Sequence, residues 1–394
     1  MVNLKNLKDP IIAYKTYLDA LCSYTASIEQ PEKPNKSKVG ILIFESFLKL
    51  HIIFQHTFKR NINKKYIFVN ARYDDIILSL DRKDVVILGG VSDLFFCLRN
   101  RIKFIWIGYL TKGFDIYFYH DRCKSYIDVL TILSNLVKKN ICCESIFLWE
   151  DNIKVGLVFS YLFKESKDIN IVSIQHGLFV PNEKIKYPGS NSNYNFVIKN
   201  SQKKLIGCND ENSCVIGLTY DINHKVDLFF KNVYLVGIGR IGRNDTNYLH
   251  SIYLYSKIMD IFEGSEYKVF YRPHHTEDIN FCRSIFYNID TTPKKDLLSG
   301  GRYIYIGFES TLLYEANFFN NLTVGIDPNE RAFIRDFELD IVINEKDIGL
   351  IFDRIKGYID DSENKESVHQ PDIRTRFIKC MERLEYYSQN KNKG

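Results

Sequence analysis

The stretch that decides the fold is "SEYKVFYRPHHTED", Ser265 to Asp278. Its apolar run "YKVFY" reads as a strand. It ends abruptly in Arg272, Pro273 and two adjacent histidines, His274 and His275, in a chain with only nine histidines. In a doubly wound sheet ligands collect at the carboxyl ends of strands, so the residues that follow each strand are the ones to read.

Upstream, short apolar, β-branched runs alternate with helix-like segments: "KVGILIF", "KYIFVNA", "DVVILGG", "KFIWIGY", "ESIFLWE" and "INIVSIQHG". Both faces of these runs are apolar, as covered parallel strands require. A second series follows near 205: "KLIGC", "NVYLVGIGR", "YKVFYRPHH", "GRYIYIGFES", "LTVGID" and "DIVIN". Helix-like stretches at 245–263 and 311–319 separate some of them. This alternation predicts α/β architecture: two doubly wound, Rossmann-like domains facing a cleft.

The expected domains are a helix and linker at 1–38, a first Rossmann-like domain at 39–205, a second at 206–365, and a helix with a frayed tail at 366–394. The changeover is expected between 190 and 230, where "YPGSNSNYN" and "GCNDENSC" are rich in turn formers.

Bulk properties fit this picture. A chain of 394 residues exceeds what one core usually serves. Hydrophobic residues at 45% and charged residues at 26% exclude a disordered chain. The net charge of +5 is too small, and its basic residues too scattered, for a nucleic-acid binder. Nine cysteines without a CxxC pair signal neither zinc nor a disulfide framework. No apolar leader and no membrane-spanning run is visible, so the expectation is a cytoplasmic protein, with peripheral docking on an anionic inner-membrane face as a further expectation.

Four strand ends carry residues able to do chemistry. "GFESTLLYEA" places Glu309, Ser310 and Thr311 before a helix. A hydroxyl N-cap and a helix N-terminus can bind phosphate, though a plain capping role serves as well. Arg272 and His274 could donate to the same anion, His274 as a protonated imidazole. Glu150 and Asp151 in "LWEDN" could hold a general base, or merely favour a helix start. Gln175, His176 and Gly177 in "SIQHG" would point into the space above the first sheet. There Gly177 would allow a tight turn of positive φ, with His176 either functional or structural.

Taken in order, "LWEDN", "VSIQHG", "VYLVGIGRIGR", "VFYRPHH" and "YIGFESTLLYEA" resemble bacterial capsule and O-antigen glycosyltransferases of the GT-B fold. The resemblance spans roughly 145–330 and is nearest to the sialyltransferase, polysialyltransferase and Kdo-transferase branches. It implies that Glu150-Asp151-Asn152 corresponds to an acidic-pair-glycine motif, His274 to a His-Pro motif and Ser310-Thr311 to a paired hydroxyl motif. Asn152 and His275 stand where glycine and proline are expected.

The resemblance further implies an inverting, metal-independent transferase with no cofactor. Its donor would be a nucleotide sugar, CMP-linked, carrying sialic acid, a related nonulosonate or Kdo, and its acceptor a glycan or lipid-linked glycan. His274, Ser310 and Thr311 would meet the donor phosphate, with Arg272, Glu309 and Gly239 on the same side. Glu150 or Asp151 would deprotonate the acceptor, and Gln175, His176 and Gly177 would lie nearby. His275 is expected to be structural. The alternatives are a GT-B transferase using a UDP- or GDP-sugar or CDP-polyol, a hydrolysing sugar-nucleotide epimerase, and a non-catalytic binding partner in a glycan assembly complex. Glu309 and Glu315 are six apart, which disfavours a retaining enzyme with glutamates eight apart.

Overall fold

The computed structural model describes residues 62–107, 141–149, 168–179, 191–221, 229–239, 245–308, 310–327, 337–361 and 371–391, with a few isolated positions between 151 and 189. These form two compact units. The first holds the described residues up to Tyr220 and those from Asp372 onward; the second spans Asp221–Pro371.

The first unit runs β1 (Ile62–Asn63), β2 (Tyr66–Val69), α1 (Asp74–Ser79), β3 (Val85–Gly89), α2 (Val91–Asn100) and β4 (Lys103–Trp106). It continues through β5 (Ile141–Cys142), β6 (Ser145–Leu148), β7 (Asn170–Ile174), β8 (Tyr194–Val197), α3 (Asn200–Ile206) and β9 (Ser213–Val215). β1 and β5 make a short parallel pair. The other strands form a seven-stranded sheet in the order β4-β3-β2-β6-β7-β8-β9. Every neighbouring pair in it is parallel. Every residue of β2, β3, β6 and β8 is buried, which is why β2 and β3 read as unbroken apolar runs.

The second unit runs β10 (Phe229–Val236), α4 (Asp245–Phe262), β11 (Lys268–Arg272), α5 (Ile279–Ile285), α6 (Lys294–Ser299), β12 (Arg302–Gly307), α7 (Thr311–Phe318), β13 (Leu322–Asp327), β14 (Ile341–Asn344) and α8 (Ile351–Asp361). Its sheet has five parallel strands in the order β11-β10-β12-β13-β14. Val233, Leu235, Ile304, Ile306, Val324 and Ile326 build its core with Tyr255, Ile258 and Ile355 of α4 and α8. The last helix, α9 (Ile373–Lys391), belongs to the first unit. Its Phe377, Cys380 and Leu384 pack into the core that holds Phe68, Phe147 and Phe196. Arg376 ties it further by donating to the Ile216 and Leu218 carbonyls at 2.8 and 2.5 Å.

Several expectations change. "KLIGC" is the end of α3 and not a strand. Gly207 closes that helix in the left-handed region at φ 79°, its N–H donating to the Lys203 carbonyl. The turn-rich "NYNFV" and "SCV" supply two strands, β8 and β9. The first unit therefore continues beyond 205 to Tyr220, within the expected 190–230 window. The segment 1–38, the run "KVGILIF" and residues 222–228 lie outside the described residues. No helix among the described residues is long and apolar enough to cross a membrane.

Candidate functional site

In the second sheet the strand order reverses between β10 and β12, because β11 lies on one side of β10 and β12–β14 on the other. Ligands in such sheets sit at that reversal, beyond the carboxyl ends of the strands. Three loops of this chain emerge there or beside it.

The loop after β10 is Gly237-Ile238-Gly239. Gly239 has φ +75°, and a β-carbon built on it would stand 2.7 Å from Nδ1 of His274. At Gly237 such a carbon would stand 2.6 Å from the Glu277 carboxylate. Both glycines are needed because the loop after β11 lies directly against them.

That second loop is organised by Glu277, a residue the sequence reading did not single out. Its carboxylate accepts from the Gly239 N–H at 3.2 Å, the His274 N–H at 2.9 Å and the Tyr271 hydroxyl at 3.0 Å. Burial raises the Glu277 pKa, and these donors oppose the shift. His274 Nδ1 lies 2.8 Å from the Thr276 hydroxyl, which fixes the ring. The two histidine rings lie 4.0 Å apart, with His275 exposed and not buried as a structural residue would be. The "HxxE" spacing within "PHHTED" was the available signal for Glu277.

Arg272 does not join this group. Alternation along β11 sends Tyr271 into the core and Arg272 to the opposite face. There its guanidinium donates to the Thr292 carbonyl at 2.7 Å and sits 3.4 Å from Asp290. The third loop follows β12. Ser310 caps α7 by accepting from the Leu312 N–H at 3.3 Å, and Thr311 is the first helical residue. Glu309 lies outside the described residues.

In the first sheet the order reverses between β2 and β6. Asp151, just after β6, is fully buried. Its carboxylate accepts from the Gly189 and Asn191 N–H groups, each at 2.7 Å, and from the Ser192 hydroxyl at 2.8 Å. Burial pushes its pKa up, against the pull of those donors. In this structure Asp151 anchors the 189–192 turn and presents no carboxylate oxygen to solvent. Its partner in the acidic pair, Glu150, lies outside the described residues.

Gln175 is likewise buried and committed. Its amide donates to the Gly177 carbonyl at 2.7 Å and to Gln202 at 2.8 Å, and accepts from the Ile198 N–H at 2.9 Å. Gly177 is not among the glycines of positive φ, contrary to the expected tight turn. His176 is different. It meets Trp149 edge-on at 5.4 Å, and its Nδ1 is buried without a hydrogen-bond partner. Burial, aided by the Arg72 charge, depresses its pKa to about 4, with a weaker pull from the Trp149 backbone working the other way. The imidazole is therefore neutral at pH 7. Asp93, also missed, ties the ends of β2 and β3 by accepting from the Ala71 N–H at 2.8 Å and the Gly90 N–H at 2.7 Å.

Among the described residues no group of three or more His, Cys, Asp or Glu side chains could hold a metal ion. The Gly237 and Gly239 N–H groups are engaged by the Arg272 carbonyl and the Glu277 carboxylate, so the donors suited to an anion here are those of the capped helix and the histidine.

No family model matches the chain, and no curated protein matches its sequence. Solved structures do match in fold. A UDP-N-acetylglucosamine 2-epimerase superposes with a TM-score of 0.54 at 10% identity, over 84% of this chain and 97% of its own. The UDP-GlcNAc 2-epimerase of Neisseria meningitidis, bound to UDP-GlcNAc, gives 0.52 at 10% identity over 82% and 100%. The Methanocaldococcus jannaschii UDP-GlcNAc 2-epimerase, in complex with UDP-GlcNAc and UDP, gives 0.50 at 12% identity over 82% and 99%. At such identities the likeness is one of fold. It matches the expected class, two parallel-sheet α/β units of GT-B type.

Proposed function

We propose that the chain is a nucleotide-sugar-dependent glycosyltransferase whose second unit holds the donor nucleotide. One observation carries this reading. The Gly237–Gly239 loop and the Ser310-capped helix α7 flank the strand-order reversal of the second sheet, and His274 is locked against Gly239. Such a place suits a phosphate group, which would accept from the N-terminus and hydroxyls of α7, with the glycines giving it room to approach. His274, with Nδ1 engaged by Thr276, would approach the phosphate through Nε2. With Nδ1 accepting from the Thr276 N–H, Nε2 carries the proton and would donate to the charge developing on the leaving phosphate.

The finer reading keeps the ordered motifs as its support. The donor is a CMP-linked sialic acid, nonulosonate or Kdo, the acceptor a bacterial surface glycan or its lipid-linked form, and transfer inverts the anomeric centre without metal. Glu150 is the proposed base, since Asp151 is occupied with the 189–192 turn. A second reading has its own support: the fold neighbours named above are titled as epimerases of a UDP-sugar. It makes UDP the nucleotide and hydrolytic release, without an acceptor, the reaction.

A thermal-shift panel of CMP, CDP, UDP and GDP tests both, because a ligand that binds only the folded chain raises its melting point. Stabilisation by CMP supports the finer reading. Stabilisation by UDP moves the assignment to the second reading, which a free-UDP release assay without acceptor then checks. A chain that none of the four stabilises would sink the nucleotide-sugar assignment. Salt-sensitive flotation with anionic liposomes tests docking at a membrane, expected for a lipid-linked acceptor.

A further inference from the structure

The first sheet has its own strand-order reversal, between β2 and β6. The residues that leave those two strands are Arg72 and Trp149, and His176 leaves the next strand, β7. The Arg72 guanidinium lies over the Trp149 ring, 4.4 Å from its centroid. Trp149 in turn meets His176 at 5.4 Å with the rings at 77°. Three side chains from three adjacent strands thus form one continuous group at the position where parallel sheets bind ligands.

The backbone beneath Arg72 is held in place. Asn70 stands in the left-handed region at φ 75°, and its side chain accepts from the Arg72 N–H at 3.1 Å. The Ala71 N–H donates to Asp93. The Arg72 side chain itself is exposed and rests on the indole. A guanidinium held over an aromatic ring retains N–H groups with which it grips a carboxylate or phosphate through two parallel bonds. His176 adds a buried Nδ1 with no partner, an atom that costs stability until something bonds to it.

We propose that Arg72, Trp149 and His176 form a subsite for an anionic sugar residue, with Arg72 taking its acidic group and the Trp149 and His176 rings its apolar face. This rests on the reading of the chain as a nucleotide-sugar enzyme, and it makes the first unit the holder of an acidic glycan. The neutral imidazole does not compete with Arg72 for the anion. Carboxylate and phosphate share the required chemistry, and the test separates them.

The chain has two tryptophans, Trp106 and Trp149, so the full-length Trp106→Phe variant reports from Trp149 alone. Its emission is titrated with galacturonate, glucose 6-phosphate, galactose and inorganic phosphate, without nucleotide. Galacturonate or glucose 6-phosphate should perturb Trp149 with affinities on the order of 1 mM, and galactose should bind about tenfold more weakly. Whichever acid responds names the group. Arg72→Gln should abolish the preference for acids without moving the unfolding midpoint. Arg72→Lys should recover only part of it, since an ammonium lacks the planar fork. Equal responses to galactose and the acids, no response to any sugar, or inorganic phosphate binding as well as the sugar acids would each overturn the subsite. Because no nucleotide is present, a failed nucleotide panel beside a positive titration rejects the transferase reading and leaves the sugar site standing. The reverse result rejects the sugar site alone.

Discussion

A β-carbon on Gly239 would stand 2.7 Å from Nδ1 of His274, so the end of β10 and the end of β11 can close together only if position 239 is glycine. The same residue holds φ +75°, which an L side chain adopts at a cost of roughly 1–2 kcal/mol. Gly239→Ala should therefore push His274 aside and abolish stabilisation by nucleotide, while the two sheets stay folded by circular dichroism. Glu277→Gln should have a related effect, since an amide cannot accept from Gly239, His274 and Tyr271 together. Unchanged nucleotide affinity in both variants would place the nucleotide elsewhere.

His274 and His275 should separate on replacement. His274 is held by Thr276 and Gly239; His275 is exposed. His274→Ala should lower kcat by about 10²–10³-fold, the scale of one preorganised donor at a developing charge, with a smaller effect on KM. His275→Ala should stay within about 0.5 kcal/mol in stability and close to wild type in rate. Steady-state kinetics on the two variants checks this, and the opposite ranking would shift the assignment by one residue.

The acidic pair should divide its labour. Asp151→Asn replaces an acceptor of three hydrogen bonds with a group that has a donor at one end. It should cost about 1–3 kcal/mol in denaturant unfolding. Glu150→Gln should leave that midpoint in place and cut turnover by ~10²–10⁴-fold. A stable, inactive Asp151→Asn chain would return the base role to Asp151.

Acid should weaken the first unit through His176. In the folded chain it takes up a proton only near pH 4, and in the unfolded chain near 6.5. Between those values the unfolded state holds more protons, so the contribution is complete above about pH 6.5 and is lost as the pH falls to about 4. At about 1.4 kcal/mol per unit, the loss is at most about 3.5 kcal/mol. Asp151 and Glu277 have raised pKa values and act in the opposite direction. The difference between wild-type and His176→Gln stability curves isolates the histidine. A flat difference from pH 4 to pH 7 would show that the imidazole is not buried neutral.

Cys214 of β9 and Cys380 of α9 lie with their sulfurs 2.7 Å apart. Diamide should take two protons and two electrons from this pair, leaving one disulfide and the reduced hydrazine. Closing a loop of 166 residues should raise stability by about 5 kcal/mol. Peptide mapping under non-reducing conditions reads the bond, and Cys380→Ser should prevent it. Finding the two peptides unlinked after diamide would refute the pairing.

The sequence by itself determined the architecture. Runs such as "DVVILGG" and "GRYIYIG" could only be strands covered on both faces, because their apolar residues have no polar alternation, and Gly-rich or histidine-bearing segments at their ends marked where ligands gather. Gly239, His274 and Ser310 were legible because strand ends and caps are local features. Only the tertiary structure decided which neighbours those residues have. Arg272 looked like an anion donor until Asp290 and Thr292 came to lie beside it, 18 and 20 residues on. Asp151 looked like a base until Gly189, Asn191 and Ser192 filled its coordination from 38 to 41 residues away. Glu277 and Arg72 carry no conspicuous local signal, since a lone acid or a lone arginine is ordinary on a surface. Their roles come from what packs on them: two glycines and a histidine for one, an indole for the other. Local pattern fixes the period and the ends of strands; hydrogen-bond saturation and burial depend on chain segments that only folding brings together.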